Sequence, residues 1–115
     1  MPRHSKDVIW GIVVTKTAQK EIRALPADMQ ARFVHVGEKL VENGPFRVGM
    51  PWVRSLGRGL WEMRLTGRDG IARAVYFVAD EARMIVVRAF VKKTEKTPPQ
   101  EIELALRRMK DWNNE

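Results

Sequence analysis

The alternation of apolar and polar residues in the second half of the chain predicts a three-stranded meander. Three segments alternate with a period of two, and the turns between them (66–70 and 79–83) are rich in Gly, Asp and Arg. The predicted strands are residues 59–65, 71–79 and 84–91. Residues 7–15 are rich in Val and Ile and predict one further strand near the N-terminus.

Apolar residues at helical spacing predict three helices. The first begins at Thr15 or Thr17 and ends at Leu25, and Pro26 opens a second helix over residues 26–42. The last helix is predicted to begin with Thr97 as its N-cap, followed by Pro98 at the first helical position. Strand and helix content together predict an α+β fold. We expect a small twisted antiparallel sheet, made of the N-terminal strand and the meander, with a helical hairpin on one face and a C-terminal helix.

The pairing of the meander can also be predicted from the requirement that one face be apolar. Trp61 is then opposite Tyr76, and Tyr76 is opposite Val87. The other face carries Glu62, Arg64, Arg73 and Arg88. In this register Arg64 faces Arg73, and like charges in direct opposition destabilise a sheet unless an anion or Glu62 neutralises them.

Composition restricts the chain to a small basic domain. Its 115 residues fit one domain, spanning 1–115, and 44% of them are hydrophobic. The absence of cysteine excludes disulfides and thiolate metal sites, and we expect no cofactor. No apolar run is long enough to span a membrane and the N-terminus lacks a signal sequence, so a cytoplasmic location without membrane contact is expected. The net charge of +7 favours a polyanionic partner, although solubility is an alternative reason for it.

Cations interrupt the predicted strands, where a charged side chain needs a partner. Arg64, Arg73 and Arg88 could form an array that grips phosphate through the bidentate guanidinium fork. The alternative is a solvated sheet face neutralised by acids. Glu62 is the carboxylate predicted on this face, and it is either a salt-bridge partner or a general base.

A lysine cluster follows the last strand. Mutual repulsion among neighbouring ammonium groups favours release of a proton, which would let a lysine act as proton donor or acceptor. The alternative is a soluble loop that protects the sheet edge. The candidate catalytic residues are Arg64, Arg73, Lys92, Lys93, Lys96 and Glu62.

Additional residues could bind RNA around this centre. The segment 45–58 is rich in Pro, Gly and Arg, which predicts an irregular connector and a candidate binding loop. Trp52 and Phe90 could stack on bases, with core packing as the alternative for Phe90. The candidate RNA-binding residues are Arg54, Arg58, Arg88, Phe90 and Thr94.

Three segments together resemble the HigB-like, phage-derived branch of the RelE/ParE toxin superfamily. They are Gly59-Leu60-Trp61-Glu62-Met63-Arg64, Arg73-Ala74-Val75-Tyr76, and Phe90-Val91-Lys92-Lys93-Thr94-Glu95-Lys96-Thr97-Pro98. The resemblance implies a microbial-ribonuclease-like fold and a type II toxin that cleaves mRNA on the ribosome. It also implies a cognate helix-turn-helix antitoxin similar to HigA. Matched by motif, the catalytic positions are Arg73 and the lysine cluster, with Arg64 on the neighbouring strand.

The chemistry expected of such an endoribonuclease is attack of the ribose 2′-OH on its own phosphate, which needs no metal. The site must remove that proton, stabilise charge on the phosphate and protonate the leaving 5′-oxygen. Two alternatives remain open on the sequence. One is a gyrase-inhibiting toxin of the ParE type, because a fold can support both activities. The other is a non-catalytic module that binds nucleic acid or an antitoxin.

Overall fold

The computed structural model describes residues 9–80, 82–92 and 96–114 as five strands and three helices. In chain order these are β1 (Gly11–Val14), α1 (Lys16–Arg23), α2 (Ala27–Asn43), β2 (Val53–Gly57), β3 (Leu60–Gly67), β4 (Gly70–Val78), β5 (Arg83–Lys92) and α3 (Pro99–Asn113). The α+β class and the helical hairpin are therefore as predicted. Among the described residues, no helix is long and apolar enough to cross a membrane.

The five strands form one mixed sheet in the order β1-β5-β4-β3-β2. Strands β2 to β5 pair antiparallel, whereas β1 pairs parallel to β5, with Gly11 opposite Arg83. The predicted antiparallel sheet is thus wrong for the N-terminal strand. Local alternation identifies a strand but carries no information on the direction of a partner about seventy residues away.

Strand β2 is a second difference from the sequence prediction, which treated residues 45–58 as an irregular connector. Residues Val53–Gly57 instead extend the sheet at its edge, with Val53 opposite Met63. The strand was missed because it is only five residues long and lies between turn residues, with Pro51 before it and Gly57 at its end. Arg58 itself has a positive φ of 56° in the turn to β3.

The predicted register of the meander is confirmed on β3 and β4, where Trp61 is opposite Tyr76 and Arg64 is opposite Arg73. On β5 a bulge interrupts the pairing, so that Tyr76 is opposite Val86 and not Val87. A bulge inserts one extra residue and reverses the face on which all earlier side chains of the strand lie. The predicted faces are therefore wrong for residues 84–87.

Helices cover both faces of the sheet. Apolar residues of α1 and α2, including Met29, Val36 and Leu40, pack with Met63 and Tyr76 on one face. On the opposite face, α3 packs against a second cluster. Its members from the sheet are Leu60, Val75, Phe77, Ile85, Val87 and Phe90, and those from α3 are Ile102, Ala105, Leu106, Met109 and Trp112. The face of the sheet that was predicted to be polar is consequently covered in part by α3.

The close contact between α2 and the β3–β4 turn generates a test of the packing. The Asp28 carboxylate accepts the Arg68 backbone N–H at 2.6 Å, and a Cβ added at Gly67 would lie 2.7 Å from Met29 Cγ and 2.9 Å from the Asp28 carboxylate. We expect Gly67→Ala to lower the free energy of unfolding by about 1–3 kcal/mol, because the added methyl group would not fit between the turn and α2 without displacing Met29 or Asp28. Urea denaturation measures this change.

The matched control is Gly11→Ala, since a Cβ at Gly11 would meet its nearest neighbour at 3.9 Å, an ordinary contact. Equal unfolding midpoints for the two variants would contradict the packing described for Gly67.

Candidate functional site

Those predicted site residues that belong to strands lie on one face of the sheet, in rows that run across the strands. Directly opposed residues share a face, adjacent strands are about 4.8 Å apart, and successive rows are about 7 Å apart. The first row contains Arg54, Glu62, Val75 and Arg88. The second contains Arg64, Arg73 and Phe90, and the third contains Ile71 and Lys92. The sheet thus brings Arg64, Arg73 and Lys92 to one surface, as the sequence predicted.

Glu62 is the centre of the first row. Its side chain is completely buried, and its carboxylate receives Arg54 Nη2 at 2.8 Å and the hydroxyl of Thr97. Arg73, also buried, places Nη1 3.9 Å from the same carboxylate. A buried carboxylate is tolerated when it is paired and hydrogen-bonded in this way. These contacts support the salt-bridge alternative for Glu62 and not the general-base alternative.

The hydroxyl bond from Thr97 corrects the prediction for the last helix. Thr97 is buried against Glu62, and α3 begins at Pro99 with Pro98 as its N-cap and no side-chain capping bond. A threonine before two prolines resembles a helix cap in sequence, but here its hydroxyl serves the buried carboxylate. This bond also places Lys96, which is exposed, beside the first row.

The solvent side of this face is formed by Arg54, Arg64, Lys92 and Lys96. Arg54 is 32% exposed, and Arg64 and Lys92 are half-buried. Arg73 lies beneath them and does not reach the solvent. The direct contact with phosphate predicted for Arg73 would therefore require this side chain to become uncovered. Lys93 and Thr94 lie outside the described residues.

Arg88 has a different environment from the one predicted for an RNA-binding residue. Its guanidinium binds Glu101 on α3 at 2.7 Å and Glu21 on α1 at 2.6 Å. Arg108 on α3 joins the same group by a 2.9 Å contact with Glu21. These hydrogen bonds raise the pKa of Arg88 despite its partial burial, and the bond with Glu101 has the largest effect. Arg88 therefore links two helices to the sheet. Each of its three guanidinium nitrogens already donates to a carboxylate oxygen.

Glu21 also completes the edge of β5 beyond the end of β1. Its carboxylate accepts the Ala89 N–H at 3.1 Å, and Arg108 donates to the Val87 carbonyl at 2.8 Å. Burial by itself raises the pKa of Glu21, but hydrogen bonds from Arg108, Ala89 and Arg88 outweigh it and lower the pKa below the ordinary value. Side chains thus satisfy backbone groups that no strand pairs.

Two other predicted RNA contacts have ordinary explanations. Phe90 is 8% exposed within the cluster under α3, with Arg88 5.4 Å from its ring centroid, so the core alternative fits its contacts. Arg58 is 64% exposed and pairs with Glu103 at 3.2 Å. A separate cavity of about 310 Å³ contains none of the predicted residues; it is lined by Thr15, Thr17, Arg108, Asp111 and Trp112.

The site is therefore suited to bind an anion, and within the part of the chain that the structure describes it offers no carboxylate base that is not already paired. Four cationic side chains border a surface beneath which Arg73 and Glu62 form a buried pair. Guanidinium and ammonium groups stabilise a phosphate that gains negative charge, and lysine can also exchange a proton. The residues that sequence reasoning missed are Thr97 as a Glu62 ligand and the Glu21–Arg108 pair. Of these residues only Arg108 had a signal in the sequence, because it lies two turns from Glu101 and therefore on the same side of α3.

Comparison with known proteins agrees with this geometry. Residues 20–110 match the family described as Phage derived protein Gp49-like (DUF891), which is a RelE-like toxin family. The chain belongs to this Gp49-like family. No curated protein sequence matches it significantly.

Solved structures of RelE toxins share the fold of this Gp49-like protein. The RelBE2 toxin–antitoxin complex of Mycobacterium tuberculosis contains a chain with 26% identity and a TM-score of 0.54, with 74% of this protein and 100% of that chain covered. A mutant of Escherichia coli toxin RelE in the free state has 19% identity and a TM-score of 0.59, with coverages of 89% and 99%. The RelB–RelE complex of Methanococcus jannaschii gives 15% identity, a TM-score of 0.52, and coverages of 69% and 88%.

Removal of the Glu62 charge tests the buried centre of the site. We expect Glu62→Gln to lower the free energy of unfolding by about 3–5 kcal/mol, because it leaves buried guanidinium charge without its counter-ion. Chemical denaturation provides the measurement. Glu103→Gln is the control, since Glu103 is 62% exposed in its pair with Arg58 and should change stability by less than about 1 kcal/mol. Similar losses in the two variants would show that burial of Glu62 is unimportant.

The lowered pKa of Glu21 predicts an acid-sensitive contribution to stability. A carboxyl whose folded pKa is below its unfolded pKa stabilises the fold above the unfolded value and loses this effect as pH falls through the folded value. Since the ordinary pKa of a glutamate carboxyl is 4.5, we expect the contribution of Glu21 to be complete at neutral pH and to decline below about pH 5. Glu21→Gln should flatten the fall in unfolding free energy between neutral and acidic pH. An unchanged pH profile in urea denaturation would refute this assignment.

Proposed function

We propose that this Gp49-like protein is the toxin of a type II toxin–antitoxin system and acts as a ribosome-dependent mRNA endonuclease in the cytoplasm. The observation that carries the proposal is that Arg54, Arg64 and Lys92 lie on one face of the sheet, with Lys96 in the chain next to Thr97, on a fold shared with RelE toxins. A site of this kind suits a reaction in which phosphate gains charge.

The proposed reaction is attack of a ribose 2′-oxygen on the adjacent phosphorus, with departure of the 5′-oxygen of the next nucleotide. Arg64 contacts the phosphate from β3, and Arg54 contacts it from β2. Lys92 and Lys96 are positioned to exchange the protons of the attacking and leaving oxygens, with Lys93 as a further candidate outside the described residues. The ribosome supplies the orientation of the message, which such a weak acid–base set requires.

Arg73 and Glu62 support these groups from beneath. Arg73 is opposite Arg64 and buried, and Glu62 holds both Arg54 and Thr97. Their proposed role is to fix the side chains that touch the RNA and to reduce repulsion between the two opposed arginines. Arg73 then acts through its neighbours, which differs from the direct phosphate contact predicted from the sequence.

An antitoxin is the proposed protein partner. Two of the similar structures are toxin–antitoxin complexes. A cognate helix-turn-helix antitoxin of the HigA type would be expected to neutralise the activity by denying RNA access to the cationic face. The basic charge of the toxin favours an acidic segment in such a partner.

The test is primer extension on a translated message in a cell-free translation reaction, with and without the protein. We expect new message ends in codon register for the natural protein. Arg64→Gln should reduce their rate of appearance by about 100-fold or more, because it removes a donor that stabilises the charged phosphate.

Arg83→Gln is the matched control, because Arg83 begins β5 at the end remote from Lys92 and pairs only with Asp80 among the contacts described for it. Cleavage by Arg64→Gln at the natural rate would contradict the site. Intact messages together with altered DNA supercoiling would indicate a gyrase-inhibiting toxin instead.

A further inference from the structure

Three side chains of α2 surround the indole of Trp52 at the edge of the sheet, and two of them are cationic. The guanidinium carbon of Arg32 lies 5.2 Å from the ring centroid and Lys39 Nζ lies 5.3 Å from it. The His35 ring packs edge-on, 5.7 Å from the indole. Residues 32, 35 and 39 share one side of α2, since they are separated by one and two helical turns. We call these four residues the Trp52 cluster.

The Trp52 cluster contains no carboxylate, unlike the groups in which an arginine forms an ion pair with an acidic side chain. Within residues 9–80, 82–92 and 96–114, the side chains of Arg32, His35 and Lys39 make no ion pair and no hydrogen bond. In contrast, acidic side chains engage Arg54, Arg58, Arg83, Arg88 and Arg108. The donors of Arg32 and Lys39 therefore remain available to an external anion.

The indole also reduces the rotamer entropy that Arg32 and Lys39 would lose on binding an anion. A long cationic side chain in solution loses rotamer entropy when it binds a phosphate. Contact with the Trp52 ring already restricts Arg32 and Lys39, and the attraction between cation and ring holds them without neutralising their charge. The cluster is thus a partly pre-organised pair of anion-binding groups.

The Trp52 cluster is continuous with the candidate site through the backbone of β3. The Arg64 N–H donates to the Trp52 carbonyl at 2.7 Å, and Arg54 follows Trp52 by two residues on β2. Arg32 and Lys39 therefore lie across the β2 edge from Arg54 and Arg64, and the path between the two groups runs around that edge. A polymer with regularly repeated negative charge can follow such a path.

We propose that the Trp52 cluster is a second RNA-binding site, which contacts the phosphate backbone of RNA flanking the link held at Arg64. This inference rests on the proposed function for the identity of its ligand. RNA is favoured over an acidic peptide because the cluster continues the cationic surface of a site suited to phosphate, and guanidinium binds phosphate in a bidentate manner. Contact with backbone phosphates also requires no particular base sequence.

The experiment measures RNA binding separately from cleavage. The probe is a fluorescein-labelled single-stranded RNA of mixed sequence with 2′-O-methyl riboses, which lack the attacking hydroxyl. Fluorescence anisotropy gives the dissociation constant at several salt concentrations for the natural protein and for the double variant Arg32→Met/Lys39→Met. Methionine retains an unbranched side chain beside Trp52 while it removes the charge, and circular dichroism checks that each variant is folded.

We expect the double variant to bind more weakly and to have a shallower salt dependence. Each lost phosphate contact should reduce the slope of log K against log salt by about 0.7 for a single strand. The matched control is Arg107→Met/Lys110→Met, which removes one arginine and one lysine from exposed positions of α3. It should retain the natural slope.

Equal slopes for the two double variants would overturn the Trp52 cluster as an RNA site, even if messages are cleaved. Displacement of the RNA by polyglutamate as effectively as by unlabelled RNA of equal charge would also overturn it, in favour of an acidic peptide. Loss of RNA binding in the Arg32→Met/Lys39→Met protein, together with uncut messages for the natural protein, would support the cluster while refuting the endonuclease.

Discussion

The buried carboxylate of Glu62 holds the candidate site together, because it joins β2, β3, β4 and the chain that leads into α3. Arg54 and Arg73 approach it from neighbouring strands, and Thr97 donates its hydroxyl from above. The carboxylate reduces repulsion between the opposed Arg64 and Arg73, which would otherwise weaken the pairing of β3 and β4. Among the arginines that contact this carboxylate, Arg73 is buried and Arg54 remains partly exposed.

A second ionic group determines how α3 lies on the sheet. Arg88 binds Glu21 and Glu101, and Arg108 binds Glu21, so one arginine of β5 connects α1 with α3. The two ionic groups divide the arginines between structural and potentially functional roles. Arg88 and Arg108, enclosed by acids, hold the fold, whereas Arg32 rests on an aromatic ring and engages no acid among the described residues.

Much of the sheet could be predicted from sequence because alternation and the need for one apolar face restrict the register strongly. The opposition of Arg64 and Arg73, and the grouping of Lys92 with them, followed from that register. The contacts that Arg88 and Phe90 make within the protein could not be predicted in the same way. Their partners lie on α1 and α3, and no local pattern shows which side chains a distant helix will place over a strand.

The sequence by itself determined the α+β class, the strands of the meander and one cationic face, since periodicity and charge are properties of neighbouring residues. Only the tertiary structure decided the parallel direction of β1, the bulge in β5 and the burial of Arg73. It also decided that Thr97 binds Glu62 and that three side chains of α2 meet Trp52. These features depend on contacts between segments remote in sequence, where packing and desolvation select among arrangements that local propensity leaves equal.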